Sequence, residues 1–247
     1  MSDANTIILD GGPLTIAQVT ELGRGRALLR LGDEARHRMA DARSAVERIA
    51  AGEEPVYGLN TGFGSLSKVR IEADRLEELQ TNIVRSHAAG VGDPLPHEVV
   101  RTMMVLLAAS LARGHSGVRP ILVDRLADML EQDLIPLIPS RGSVGASGDL
   151  APLAHLACSL LGEGEILVDG KSVPIGGRLQ AAGMPPLRLE AKEGLALLNG
   201  THLMAACGVV ALERLSHIMN ASLAAAAMSL DGCRGSHGPL AAEIHEV

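Results

Sequence analysis

Apolar positions recur along this chain with the period of the α-helix far more often than with that of the β-strand. Ala35, Met39, Ala42, Val46 and Ile49 lie at i, i+4 and i+7 spacings and form one apolar stripe, which Gly52 ends. Residues 96–112 carry Val99, Val100, Met103, Met104, Leu106, Leu107 and Leu111 on nearly every face, the pattern of a helix buried all round. Residues 119–134 predict an amphipathic helix through Leu122, Leu126, Met129 and Leu130. Leu76, Leu79 and Ile83 make a further stripe that His87 continues. Residues 202–230 are Ala-rich with little charge beyond Glu213 and Arg214, as in the middle of a helical bundle.

Strand patterns are few. Residues 165–175 read as a small β-hairpin on an Asp169-Gly170 turn, and residues 6–12 as a strand and turn. The expected fold is therefore mainly α. A helical N-terminal region over 1–118, which includes a loop around Tyr57, leads at 119–247 into the start of a long-helix bundle.

Composition agrees with packed helices. The chain has 247 residues, enough for a large core. It is 47% hydrophobic yet 1% aromatic, so Ala, Leu, Val, Ile and Met must fill that core. A net charge of −7 gives no basic footprint for nucleic acid. Cys158, Cys207 and Cys233 are too widely spaced for a disulfide framework or a metal motif, which suits a reducing cytoplasm. The N-terminal residues lack the basic and apolar regions of a signal peptide. The longest uncharged run, 194–212, contains Asn199, Gly200, Thr201 and His202, polar groups disfavoured in lipid. A soluble cytoplasmic protein is expected, with no metal and with neither membrane nor nucleic acid as partner.

Candidate chemistry centres on Ala146-Ser147-Gly148, within Gly142-Ser-Val-Gly-Ala-Ser-Gly-Asp149. When a tight turn brings the Gly148 amide nitrogen onto the Ala146 carbonyl carbon, a five-membered ring can close. Loss of water from Ser147 then leaves an exocyclic methylene, an electrophile that ordinary side chains do not supply. Glycine suits position 148 because it lacks a Cβ to block attack and reaches unusual backbone angles. The plainer reading makes Ser147 a hydroxyl in a Gly-rich turn at the start of a helix, with Asp149 as the helix N-cap. A serine hydrolase is disfavoured: Gly145-Ala-Ser-Gly-Asp149 ends on Asp where the nucleophile elbow has Gly, and helical patterning supplies no strand to carry it.

These residues resemble the aromatic amino acid ammonia-lyase family, whose members form a 4-methylidene-imidazole-5-one group from an internal Ala-Ser-Gly. Tyr57-Gly-Leu-Asn-Thr-Gly-Phe-Gly64, Ser86-His-Ala-Ala-Gly-Val-Gly92, Leu111-Ala-Arg-Gly-His-Ser-Gly-Val-Arg-Pro120 and Glu193-Gly-Leu-Ala-Leu-Leu-Asn-Gly-Thr201 are similar to family motifs, in family order. Within the family the chain is most similar to members that eliminate ammonia from L-histidine to give trans-urocanate.

The resemblance implies roles residue by residue. The prosthetic group would form autocatalytically from Ala146, Ser147 and Gly148, with no external cofactor. Tyr57 would remove a β-proton, on a loop whose Gly58 and Gly64 permit movement; without the resemblance it is a packing aromatic. His87, otherwise a core histidine, would contact the substrate ring, imidazole or phenol. Asn199, otherwise a turn residue, would contact the prosthetic group or the substrate amine, and Asp149 would support the turn. Thr201-His202 departs from the Thr-Gln common in histidine-specific members. Either the substrate amine or the substrate ring would engage the electrophile.

Family members are homotetramers and continue beyond the segment equivalent to Val247, where an arginine grips the substrate carboxylate. The chain thus reads as an N-terminal half with a truncated ammonia-lyase-like fold, inactive alone. The alternatives are a tyrosine or phenylalanine ammonia-lyase or aminomutase of the same family, and a non-catalytic helical remnant or assembly module.

Overall fold

The structure, a computed structural model, describes residues 5–62, 70–71, 75–144 and 148–246. The chain begins with β1 (Asn5–Leu9), α1 (Ile16–Gly23) and β2 (Ala27–Leu31). The two strands pair in parallel, Asn5 opposite Ala27 through Leu9 opposite Leu31. Thr15 starts α1 through a reciprocal cap: its hydroxyl accepts from Gln18 N at 3.2 Å and its own N–H donates to Gln18 Oε1 at 2.9 Å. The expected strand at residues 6–12 is present as β1, whereas periodicity gave no sign of α1 and β2. Eight and five residues are too few for pattern alone to assign.

Next comes α2 (Asp33–Ala50), with Asp33 and Glu34 in its first turn and Arg48 in its last, charges that complement the helix dipole. It is followed by α3 (Leu76–His87), β3 (Val91–Pro94), α4 (His97–Ala112) and α5 (Ile121–Glu131). As its sequence requires, α4 is buried all round: Met103, Met104, Val105 and Ala108 are each 0% exposed. It packs against α1, α2 and α5, and α5 packs against β2.

A short strand β4 (Pro139–Arg141) pairs antiparallel with β3 and delivers the chain to α6 (Leu150–Leu160). The hairpin expected at 165–175 is β5 (Glu165–Val168) and β6 (Lys171–Pro174). Asp169 and Gly170 have φ of 50° and 75°, the two left-handed positions that a two-residue hairpin loop needs. Helices α7 (Ile175–Ala181), α8 (Glu193–Leu198) and α9 (His202–Gly232) complete the order. Helices α3, α6 and α8 pack against one another.

Residues up to Val209 form one compact unit, and those from Val210 a second. The second holds the remainder of α9 and two short 3-10 turns, Gly238–Leu240 and Ala242–His245. By length and composition, one stretch among the described residues, Glu193–Gly232, could cross a membrane. The break at Asn199 to Thr201 divides it into α8 and α9.

Candidate active site

Three family-like segments meet where α6, α8 and α9 begin or end. Ala146, Ser147 and Gly64 lie outside the described residues, so the site is built from what flanks them. Gly148 has φ 118°, a conformation open to glycine and strained for other residues. A Cβ there would fall inside the van der Waals surface of the Gly200 carbonyl oxygen. Glycine at 148 is thus required twice, by its dihedral and by the backbone pressed against it.

Asp149 ties the two segments together. Its N–H donates to the Gly200 carbonyl at 2.7 Å. One carboxylate oxygen accepts from Met204 N at 2.9 Å, the other from Ser143 Oγ at 3.1 Å. The expected N-cap is therefore corrected in part. Asp149 occupies the N-cap position of α6, yet its side chain makes no capping bond to that helix. It serves the first turn of α9 instead, where a carboxylate satisfies an orphan N–H and complements the dipole. Only 5% of Asp149 is exposed, although its partner Ser143 lies at the surface.

Asn199 is the C-cap of α8 with extended backbone, φ −90° and ψ 115°. Its Nδ2 donates to Leu195 O at 3.1 Å, and the residue is exposed. Beside it, the His202 imidazole lies over Gly200, leaving no room there for a Cβ. The Nδ1 of His202 is buried without a partner. Burial holds its pKa below the usual histidine value, against an opposing pull from the Asp149 carboxylate.

His87 ends α3 and is half-buried. Its Nδ1 lies 2.8 Å from the Ile83 carbonyl, which can only accept. This bond puts a proton on Nδ1, so the tautomer it selects has Nε2 as its acceptor. After His87 the chain turns through Gly90, whose N–H donates to His155 Nε2 on α6 at 3.0 Å.

Tyr57 is held on a different support. Neighbouring Val56 and Leu59 join a small apolar cluster with Val46, Leu76, Leu79 and Ala191. Leu76 begins α3 and His87 ends it, about 16 Å apart at 1.5 Å per residue. Tyr57 itself is 57% exposed. The loop is anchored from within by Asn60, which is 0% exposed. Its Oδ1 accepts from Val56 N at 2.7 Å and its Nδ2 donates to Glu54 O at 3.0 Å. Gly58 has φ 74°, a turn position that favours glycine. Asn60 escaped sequence reasoning, although a polar pair, Asn60-Thr61, among Gly, Leu and Phe was a signal.

Sequence reasoning also missed a buried ion pair joining the motifs at 111–120 and 193–201. Glu193 at the start of α8 is 0% exposed. It accepts from Arg119 N at 3.0 Å, Arg119 Nε at 2.9 Å, Arg119 Nη2 at 2.7 Å and Glu190 N at 2.9 Å. Hydrogen bonding to Glu193 holds the Arg119 pKa above its ordinary value. Arg43 on α2 joins through Glu190 at 2.6 Å. The helix that ends in Asn199 is thereby fixed at its start.

An open cleft of about 600 Å³ lies elsewhere, between the end of α1 and the start of α4. Its charged walls are paired with one another, Arg24 with Glu98 at 3.0 Å and Arg101 with Asp133 at 2.6 Å. Among the described residues no His, Cys, Asp and Glu side chains gather as a metal site.

An aromatic amino acid lyase family model matches residues 14–247. The histidine ammonia-lyase of Myxococcus xanthus is 46% identical over 241 residues, which are 98% of this chain and 47% of that protein. A crystal structure of histidine ammonia-lyase from Trypanosoma cruzi superposes with a TM-score of 0.88 at 39% identity, over 97% of this chain and 47% of that one. Tyrosine aminomutase from Streptomyces globisporus superposes at 0.79, also 39% identical, over 85% of this chain and 39% of that one. The chain spans about half the length of the curated relatives it matches.

Proposed function

The chain belongs to the aromatic amino acid lyase family, and on that premise we propose that it supplies the electrophile-bearing half of a histidine ammonia-lyase, which eliminates ammonia from L-histidine to leave trans-urocanate. The observation that carries this reading is the crowded Gly148 turn, clamped by Asp149 onto Gly200 and the first turn of α9. Such a clamp suits residues that must become a 4-methylidene-imidazole-5-one ring: Gly148 has no Cβ, and Asp149 beside it links the N-termini of α6 and α9. When formed, that group supplies an electrophile that activates the substrate for loss of its amine.

The chain's own residues divide the remaining work. His87, whose Nδ1 is bonded to the Ile83 carbonyl, turns its Nε2 side to the substrate ring. Asn199 orients the amine side. Tyr57 takes the β-proton, and Gly58 and Gly64 let its loop close over the substrate. Residues 119–247 serve as the start of a central bundle, preceded by a helical region to residue 118, in a cytoplasmic homotetramer. A tyrosine-specific reading is kept because His87 suits a phenol as well as an imidazole, and because a tyrosine aminomutase is among the similar structures.

Intact mass and near-ultraviolet absorbance test the proposal without requiring turnover. The chain should be lighter than its translated sequence by two waters and should absorb beyond what Tyr57, its only tyrosine, explains. Ser147→Ala should abolish both and, in a complete family-like assembly, reduce urocanate formation to background, while losing at most about 0.5–2 kcal/mol of stability, the range for a capping hydroxyl. L-histidine and L-tyrosine offered in parallel decide the substrate. A parent chain of full translated mass would overturn the proposal.

A further inference from the structure

His155, on the second turn of α6, has no part in the chemistry above, yet it bonds directly to the segment that carries His87. The Gly90 N–H donates to His155 Nε2 at 3.0 Å. The close packing there is specific: a Cβ on Gly90 would stand 3.0 Å from His155 Nε2 and 3.2 Å from Pro139 Cβ. On the other side, a Cβ on Gly142 would stand 2.9 Å from Ala151 Cβ and 3.1 Å from Gly90 Cα. Two glycines therefore let three backbones meet: the turn after His87, the end of β4, and the first turns of α6.

A backbone N–H can only donate, so His155 Nε2 must be an acceptor and its proton must sit on Nδ1. Burial, which lowers the pKa of this imidazole, favours the neutral ring that the bond requires. Between His87 and Gly90 lie only Ala88 and Ala89, and the Ala89 N–H already donates to the His87 carbonyl at 2.8 Å. Little slack remains between the tether and the side chain it would control.

We propose that His155 is the positioning residue for His87, holding the turn after α3 against α6 through the Gly90 bond so that His87 keeps a fixed place relative to the segment leading into the Ala146-Ser147-Gly148 turn. This rests on the reading of His87 as the substrate-ring contact. His155 touches no substrate. It acts through Gly90, as a strut between the ring-binding side of the site and its electrophile-bearing side.

The test compares the parent chain with His155→Gln, which keeps an acceptor, and His155→Leu, which removes it. Amide hydrogen exchange at Gly90 and the ring nitrogen resonances of His87 are read by NMR in each. Exchange at Gly90 should be at least about fivefold faster in His155→Leu, the factor implied by losing a hydrogen bond of ordinary net strength. The His87 resonances should shift with it, and His155→Gln should restore both. Global unfolding midpoints measured alongside separate loss of the tether from loss of the fold.

Unchanged Gly90 exchange or unchanged His87 resonances in a folded His155→Leu chain would overturn the proposal. So would a Gln variant that behaves like Leu. Titration of the parent with L-histidine tests the underlying reading separately. A His87 signal that ignores L-histidine while still responding to His155→Leu would remove the role of His87 as a ring contact and leave the strut standing.

Discussion

Helices α4 and the later part of α9 carry the same sequence signature, apolar residues on every face, and meet opposite fates. In α4, Met103, Met104, Val105 and Ala108 are wholly buried. In α9, Leu215, Ile218, Leu223 and Met228 are 52, 64, 65 and 75% exposed. Apolar periodicity states that a surface is made to be covered, and it is silent on what covers it. For α4 the cover is local, from α1, α2 and α5. For the α9 face the proposed tetramer is the natural cover, since an apolar patch of this extent marks an association surface.

The sharpest way to break this contrast is to place the same charge on both helices. Met104→Lys should prevent stable folding, at more than about 4 kcal/mol, because a buried ammonium finds no partner. Ile218→Lys should change the stability of the separate chain by no more than about 0.5 kcal/mol, as at other exposed positions. It should also reduce self-association seen by light scattering. Equal losses of stability at the two sites, measured by denaturant unfolding, would mean that the α9 face is covered within the single chain.

A smaller loss should follow Glu193→Gln. Arg119 would keep Glu190 at 2.6 Å but lose its shielded partner, at a cost of about 3 kcal/mol. Asn199 sits at the other end of the same short helix, so its amide exchange should quicken at the same time. A chain that lost stability with no change at Asn199 would show that the ion pair does not hold α8 in place.

Acid should act mainly on the covered region. The pKa values of His155 and His202 are lowered by burial, so the folded chain binds fewer protons than the unfolded one as pH falls below the ordinary value of 6.5. Their contribution is complete above that pH and shrinks progressively below it, through the lowered folded values. The difference in unfolding midpoint between the parent and a His155→Gln, His202→Gln double variant should therefore change between neutral pH and pH 5, the parent losing more. A difference independent of pH would contradict the burial of both rings.

The mildest probe is thiol labelling. Cys158 on α6 is buried, and burial pushes its thiol up to about 11. Cys207 and Cys233 are exposed. An alkylating reagent at neutral pH should mark Cys233 first and Cys158 only on unfolding. Early modification of Cys158 would show that α6 opens more readily than its packing implies.

The local parts of this structure were legible in the sequence. The stripe from Ala35 to Val46, the all-round apolar run of α4 and the Asp169-Gly170 turn each depend on neighbours within a few residues and appear where the sequence puts them, whereas Ile49, the expected end of that stripe, is 42% exposed. The pairings that build the candidate site do not: Arg119 with Glu193, Asp149 with Met204 and Gly90 with His155 join residues 74, 55 and 65 positions apart. Family likeness could mark these segments as related, but their partners emerge only when α3, α6, α8 and α9 pack. Asp149 shows the difference most clearly. Its cap position could be read locally, whereas its carboxylate answers to a helix that starts more than fifty residues later.

That long reach of Asp149 sets an order of events in time. The Gly148 turn is clamped only after the first turn of α9 exists to offer the Met204 N–H and the Gly200 carbonyl has come alongside, so local sequence cannot tighten it early in folding. If ring closure needs the clamp, the loss of two waters is an irreversible mark made after folding has joined residues 149 and 204. The unmodified fraction in a freshly made sample would then serve as a clock, counting the chains in which those two helix starts had yet to meet.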